Sequence, residues 1–215
     1  LASISLSVEE VMERLHEGEL GYAEHQELKR YLKTIAEQLE RCSRITHQLL
    51  EFSHQNRNED PQEFLYDLND LIAKNISLIG FQLRKQNIRI EENYAADLPF
   101  LWGDGSGIQQ VVFNLICNAV DAMPGGGVLA LHTEFDAEWI KLSVQDTGIG
   151  IPQAHLTRIF EPFFTTKPVG KGTGLGLSVC YGILEKSQGK IEIESTEGIG
   201  TVVTVSLPRK GDKHE

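Results

Sequence analysis

The chain has 215 residues and a formal net charge of −11, with 40% apolar and 24% charged residues. These values suit one large or two small globular domains with a buried core. The negative charge argues against sequence-independent binding of nucleic acid and against docking on anionic lipid, because both need clustered Lys and Arg. No apolar stretch reaches membrane-spanning length and no signal peptide is visible, so we expect a cytoplasmic location.

The cysteines and the first residue place further limits on the chain. Cys42, Cys117 and Cys180 are odd in number and far apart, which suits reduced thiols in a reducing cytosol better than a zinc site. The sequence begins at Leu1 with an apolar helical pattern already in progress. We therefore interpret it as a fragment whose parent protein could carry a membrane anchor upstream.

Residues 1–57 predict an antiparallel helical hairpin. A first apolar stripe follows spacings of three and four, and residues 18–21 interrupt it between two glycines. A second helix over about residues 23–55 carries an apolar seven-residue repeat that starts at Leu28. Because one hairpin leaves its apolar faces partly open, we expect a homodimer through a four-helix bundle. The alternative is that the hairpin packs on the rest of the chain.

Residues 61–210 predict a second domain, after a polar stretch that ends at Pro61. The patterns indicate, in order, a helix near 64–83, a strand over 88–94, an extended segment near 100–103, a helix over about 107–123, a hairpin of 128–135 and 139–145, a helix over 175–188, and strands over 191–194 and 201–207. Mostly hairpin-linked strands mixed with helices favour an α+β sandwich, with helices on one face of a mixed sheet.

Polar residues on the helix predicted over 107–123 form a stripe. Asn114, Asn118 and Asp121 are spaced i, i+4, i+7 and share one face. The opposite face carries apolar residues, namely Val112, Leu115, Ile116, Ala119 and Met123. Such a stripe is costly unless it faces a site or solvent. An amide oxygen can bind a divalent cation beside phosphates without adding negative charge, whereas the alternative is a solvated helix face.

A carboxylate ends the strand predicted over 139–145. Asp146 is followed by a turn that contains Gly148 and Gly150. A carboxylate only accepts hydrogen bonds and therefore suits the exocyclic amine of adenine, while the glycines would let the backbone approach the base. Taken alone, this segment is more often an ordinary turn than a nucleotide site.

Two further segments predict contacts with phosphate. Residues 160–171 mix aromatics, prolines and lysines and predict a lid, with Phe163 and Phe164 as anchors and Thr165, Thr166 and Lys167 available to phosphate. Gly172, Gly174 and Gly176 open the last long helix, whose N-terminal amides can face anionic oxygens. The residue order rules out a P-loop, and the lid-like segment before these glycines argues against a dinucleotide fingerprint.

In this order, the motifs Asn-x-x-x-Asn, Asp-x-Gly-x-Gly, Phe-x-Pro-Phe-Phe and Gly-Thr-Gly-Leu-Gly-Leu resemble the catalytic domain of bacterial sensor histidine kinases. These kinases belong to the superfamily that also contains gyrase, the Hsp90 chaperones and MutL. The lid that ends in Thr165-Thr166-Lys167 is similar to the lid of the nitrogen-regulator subgroup of these kinases. The resemblance implies a two-layer α/β sandwich that binds ATP and Mg²⁺. It implies Asn118 as the metal ligand, Asn114 beside the phosphates, and Asp146 on the adenine amine with Thr201 acting through water.

The resemblance also gives the remaining site residues and the reaction. The implied ATP-binding set adds Asp121, Gly148, Gly150, Ile151, Phe163, Thr165, Thr166, Lys167, Gly172, Thr173, Gly174, Leu175, Gly176 and Leu177, and the implied catalytic residues are Asn114, Asn118 and Lys167. The ATPase relatives carry Glu at the position of Asn114. Because an amide is no general base, we expect slow hydrolysis and transfer of the γ-phosphoryl group to another acceptor.

The hairpin resembles the dimerisation and histidine-phosphotransfer domain of the same kinases. There the acceptor lies in His-Glu-x-x-Asn-Pro, commonly followed by Leu-Ala-x-Ile, and this chain begins Leu1-Ala2-Ser3-Ile4. None of the seven histidines has that context, namely His16, His25, His47, His54, His132, His155 and His214. We therefore expect a fragment that cannot label itself, from a parent that phosphorylates a response regulator. The alternatives are a serine kinase of the superfamily and a non-catalytic nucleotide-sensing scaffold.

Overall fold

A computed structural model gives the structure for residues 30–31, 63–167 and 172–209. The residues from 63 onward belong to a compact unit that runs from Asp60 to Glu215. Of the predicted hairpin, only Arg30 and Tyr31 are described, and both are helical. The rest of the hairpin, and the dimer expected from it, lie outside the described residues. Among the described helices, none combines the length and apolarity that a membrane span requires.

Seven strands and four helices make up the described part of the second unit. They are β1 (Phe64–Tyr66), α1 (Leu68–Lys85), β2 (Ile88–Asn93), β3 (Leu101–Gly103), α2 (Gly105–Asp121), β4 (Gly127–Phe135), β5 (Trp139–Asp146), α3 (Gln153–Leu156), α4 (Gly176–Lys186), β6 (Lys190–Thr196) and β7 (Gly200–Pro208). β1 pairs with β3, and the other strands form one sheet in the order β2-β4-β5-β7-β6. β2 runs parallel to β4 and the remaining pairs are antiparallel, so the predicted mixed sheet is confirmed.

The core lies between one face of the five-stranded sheet and the helices. Along β5, Ile140, Leu142, Val144 and Asp146 are buried in strict alternation, as expected for a strand with one covered face. The buried apolar side chains of α1 and α2, together with Cys180 and Leu184 of α4, belong to the same apolar cluster. The apolar side predicted for α2 is buried. It consists of Val112, Leu115, Ile116, Ala119 and Met123. This leaves the asparagine stripe on the other side of α2.

The start of the first predicted helix is wrong, and one helix was not predicted. Residues 64–66 form β1, because their backbone pairs with β3. α1 begins only after Asp67, whose side chain accepts hydrogen bonds from the backbone N–H groups of Asn69 (2.8 Å) and Asp70 (3.4 Å). Such an N-cap satisfies amides that have no partner inside the helix. The short helix α3 lies where the sequence showed no helical period.

Candidate functional site

The asparagine stripe of α2 faces the first residue of α4. A Cβ atom built at Gly176 would lie 3.8 Å from Asn118 Nδ2 and 3.9 Å from Asn114 Cγ. Asn114 Nδ2 is buried and has no hydrogen-bond partner. A buried polar atom without a partner is rare in a folded protein and calls for a physical explanation, such as a ligand. Two motifs that are far apart in the sequence therefore meet at a small cradle lined by amides.

Lys167 reaches the same stripe from the predicted lid. Its ammonium group lies 2.7 Å from Asp121 Oδ2 and 3.4 Å from Asn118 Oδ1. Its backbone N–H donates to Thr165 Oγ1 at 3.1 Å. The Lys167 and Asp121 side chains are 35% and 30% exposed, so the ion pair is partly shielded from water. Lys167 thus places a positive charge at the predicted phosphate site.

The glycine-rich segment packs against the lid backbone. A Cβ atom at Gly172 would lie 2.7 Å from Thr165 Oγ1, and one at Gly174 would collide with the backbone carbon of Phe163. Gly174 also has a φ of +68°, which favours glycine. Thr166 and Thr173 are exposed beside this contact, whereas Leu175 and Leu177 are half-buried. The two predicted phosphate segments therefore lie together.

Of the two predicted aromatic anchors, only Phe164 packs. Its ring lies 5.5 Å from the ring of His155, and the Arg158 guanidinium carbon lies 4.6 Å from its centroid. Phe163 is 70% exposed, so its prediction as an anchor is wrong. The physical reason is local, because Phe163 has a left-handed φ of +66° and Gly174 lies against its backbone. A non-glycine residue in this region carries strain on the order of 1–3 kcal/mol.

A row of polar side chains crosses the sheet at the end of β5. Asp146 pairs with Thr201 on β7, and Thr201 pairs with Ser195 on β6. Directly paired residues on antiparallel strands place their side chains on the same face. Asp146 is 6% exposed, and its Oδ1 accepts a hydrogen bond from Gly148 N at 2.8 Å. Burial raises the pKa of Asp146, and the backbone N–H groups of Gly148 and Thr201 oppose that rise.

The glycines around Asp146 are required by the protein's own backbone. A Cβ atom at Gly148 would collide with the Ala122 carbonyl oxygen, and one at Gly150 with that of Thr196. Gly200 has the same relation to the Asp146 carbonyl oxygen. These close approaches hold the loop after β5 against the end of α2 and the turn before β7. The proposed contact of Gly148 and Gly150 with a base stays a prediction.

Ser195 belongs to this polar row but to none of the sequence motifs. Its hydroxyl accepts a hydrogen bond from Ile151 N at 2.8 Å and lies 3.0 Å from Gly200 O and 2.8 Å from Thr201 Oγ1. It therefore connects the loop after β5 to the strand that carries Thr201. A serine in a strand of alternating polarity gives no signal of its own. Only the register of β6 on β7 would have pointed to it.

The cradle suits a divalent cation that is held mainly by its ligand. Within the described ranges, no three His, Cys, Asp or Glu residues are grouped so that they could hold a metal. Mg²⁺ takes hard oxygen ligands and is commonly bound through few protein groups together with water and substrate phosphates. The Asn118 amide oxygen fits such a site without adding negative charge, and the unpartnered Asn114 N–H suits an anionic oxygen of the ligand.

The sheet order, together with the meeting of α2 and the start of α4, defines an ATP-binding catalytic domain of the histidine kinase type. The family described as "Histidine kinase-, DNA gyrase B-, and HSP90-like ATPase" matches residues 103–211, and the chain belongs to this family.

Two relatives and two solved structures support the same assignment. Sensor kinase CckA of Brucella abortus (strain 2308) is 37% identical over 193 residues, which is 83% of this chain and 20% of that protein. Sporulation kinase C of Bacillus subtilis (strain 168) is 40% identical over 148 residues, or 68% of this chain and 34% of that protein. The chain thus spans much less than half of these relatives.

Among solved structures, the catalytic domain of histidine kinase ThkA has a TM-score of 0.62 and 35% identity, covering 68% of this chain and 97% of that one. ThkA in complex with response regulator protein TrrA has a TM-score of 0.63 and 27% identity, covering 98% of this chain and 59% of that one. The identification of a sensor histidine kinase catalytic domain from the sequence motifs is confirmed.

Proposed function

We propose that this domain binds ATP with Mg²⁺ and transfers the γ-phosphoryl group to a histidine, from which it passes to a response-regulator aspartate. The observation that carries the proposal is the cradle, where the two asparagines of α2 meet Gly176 and the Lys167 ammonium group. A donor-rich, glycine-lined site with one positive charge suits a triphosphate. The buried Asp146 lies at a strand end on the helix-covered face of the sheet and suits the adenine amine.

The residues of the cradle have separate roles in this proposal. Asn118 contributes its amide oxygen to Mg²⁺, and Asn114 donates its unpartnered N–H to a phosphate oxygen. Lys167 places its ammonium group beside the phosphate tail while it stays paired with Asp121. No side chain caps α4 among the described residues, so the amides of its first turn are available to phosphate as well. Bound Mg²⁺ would supply neutralisation of the charge on the transferring group.

Transfer of the γ-phosphoryl group, rather than hydrolysis of ATP, is expected because Asn114 cannot act as a general base. A water molecule beside the γ-phosphate needs a general base to become a nucleophile, and an amide has no basic lone pair. Asp121, the carboxylate on the same stripe, is held by Lys167 at 2.7 Å. The domain therefore stabilises the phosphoryl group by position and charge and leaves the nucleophile to another protein or domain.

The acceptor and the partners are proposed from sequence context and from relatives. We place a dimerisation and phosphotransfer hairpin at residues 1–57 and the catalytic domain at residues 61–210. None of the seven histidines has the acceptor context, so the acceptor is a histidine of the parent protein. The complex of ThkA with TrrA supports a response-regulator receiver domain as the final partner.

The 215-residue chain tests the proposal directly. Calorimetry should detect ATP binding that strengthens with Mg²⁺, and radiolabelled ATP should label a separately supplied phosphotransfer domain from a related sensor kinase. The label should be acid-labile, as a phosphohistidine is, and the chain itself should stay unlabelled. ATP binding without transfer would favour the scaffold alternative, and an acid-stable label would favour a serine kinase. Self-labelling at His25 or His47 would contradict our placement of the acceptor.

Replacing Lys167 by Gln should weaken ATP–Mg²⁺ binding by about 10-fold or more. The reason is that a hydrogen bond to a charged group contributes roughly 1.5–3 kcal/mol. Titrations at two salt concentrations should also show a weaker salt dependence, because one charge contact is lost. Lys141→Gln is the matched control, since Lys141 is 34% exposed and pairs with Glu134 and Asp136 on another part of the sheet. Equal ATP affinity in the two variants would remove Lys167 from the site.

A further inference from the structure

Ser195 is the last member of the polar row that begins at Asp146. Its pairing with Thr201 on β7 places both hydroxyls on the same face of the sheet as the Asp146 carboxylate. Thr201 is 7% exposed, so little water competes for its hydroxyl. The direction of its hydrogen bonds is therefore set by neighbouring protein groups. Three contacts within 3.0 Å surround the Ser195 hydroxyl, one from the loop after β5 and two from the start of β7.

The direction of every hydrogen bond at Ser195 follows from its neighbours. Ile151 N–H is a donor, so Ser195 Oγ accepts there at 2.8 Å. The Gly200 carbonyl oxygen is an acceptor, so the one proton of Ser195 goes to it at 3.0 Å. Ser195 has no second proton for Thr201 at 2.8 Å, which means that Thr201 must donate to Ser195. Ser195 then gives one hydrogen bond and accepts two, which uses its full capacity.

This arrangement determines what Thr201 can offer a ligand. The only proton of Thr201 is committed to Ser195, so the remaining capacity of its hydroxyl is two acceptor lone pairs. The neighbouring Asp146 carboxylate also only accepts. The Asp146 carboxylate and the Thr201 hydroxyl therefore both need a hydrogen-bond donor from the ligand.

We propose that Ser195 is a positioning residue for base selection, which holds the Thr201 hydroxyl as an acceptor and so favours a 6-aminopurine over a 6-oxopurine. The inference rests on the proposed ATP site and adds a determinant of its base preference. The 6-amino group of ATP carries two N–H donors for this acceptor pair, directly or through one water. ITP has an acceptor oxygen in the same place and would face two acceptors. Without Ser195, the Thr201 proton can turn toward that oxygen.

The test compares ATP and ITP affinities by calorimetry in the 215-residue chain. The unchanged chain should prefer ATP, and in Ser195→Ala the ratio of ATP to ITP affinity should fall by about fivefold to tenfold, the size of one hydrogen bond. Ser195→Thr keeps the hydroxyl and should restore the ratio. Ser143→Ala is the matched control. Ser143 makes a similar hydroxyl pair with Thr204 (3.2 Å), but on the face of β5 opposite its buried residues.

The ratio separates positioning from support of the fold. Loss of the Ile151 contact alone would weaken both nucleotides in parallel and leave the ratio unchanged, which would overturn the inference while the ATP site stands. A ratio that Ser195→Thr fails to restore would overturn it too. If the unchanged chain bound neither nucleotide, the proposed function itself would be wrong and this inference would go with it.

Discussion

Asn118→Ala should reduce phosphotransfer to a supplied histidine domain by more than about 100-fold, because a metal ion on a transferring phosphoryl group contributes several kcal/mol. Asn118 is the stripe residue whose amide oxygen lies nearest the Lys167 ammonium group, at 3.4 Å, and whose amide nitrogen faces Gly176. The measurement is the initial rate of label transfer at saturating ATP over a range of Mg²⁺ concentrations. The Lys167–Asp121 ion pair does not depend on Asn118, so the lid contact should survive the substitution.

The comparison with other asparagine variants makes this result specific. Asn93→Ala removes an exposed amide at the end of β2 and should leave the transfer rate unchanged. Asn118→Asp restores an oxygen ligand but adds a negative charge beside the triphosphate, so we expect weak transfer that needs more Mg²⁺. A transfer rate in Asn118→Ala equal to that of the unchanged chain would show that this amide holds no metal.

The sequence predicted those parts of the site that lie on elements with a regular repeat of apolar and polar residues. Asn114, Asn118 and Asp121 lie on one side of α2 because 3.6 residues per turn fixes their spacing, and the buried residues opposite them follow the same rule. Asp146 could be placed at a strand end because β5 alternates regularly up to it. The order of the motifs then identified the family.

What the sequence could not predict depends on partners that are distant along the chain. The strand identity of residues 64–66 is set by their pairing with β3, in which Leu65 lies opposite Trp102, 37 residues further along the chain. The importance of Ser195 depends on β6 lying beside β7. Gly200 is needed because the Asp146 carbonyl oxygen occupies the space of a side chain. Neither local propensity nor hydrophobic period contains such information.

Asp146→Asn should weaken ATP binding by about 10- to 100-fold, because it replaces a hydrogen bond to a charged acceptor by one to a neutral amide. It should also shift the preference toward ITP, since the new amide N–H₂ can donate to the 6-oxo group. Calorimetry with both nucleotides measures the two effects. Glu192→Gln is the control, because it removes one negative charge from an exposed position of β6 and should change neither affinity.

The pH dependence gives an independent reading of the same carboxylate. The ionised form of Asp146 accepts from the adenine amine, and burial raises its pKa in the free domain. ATP affinity should therefore fall as the pH decreases through that raised pKa, and the part due to Asp146 should be absent in Asp146→Asn. Titration of ATP itself affects both proteins equally, so the difference between their profiles isolates Asp146.

Stability should change in the opposite sense to binding. A raised carboxyl pKa means that the fold disfavours the ionised form, so the cost to the free energy of unfolding is absent below the usual pKa and complete above the raised one. At neutral pH, Asp146→Asn removes that cost and should unfold at an equal or higher urea concentration. If the variant lost ATP affinity together with stability, the carboxylate would be holding the loop at Gly148 and not the base. Lost affinity in a domain of equal or greater stability is the result expected of a residue kept buried and charged for a ligand.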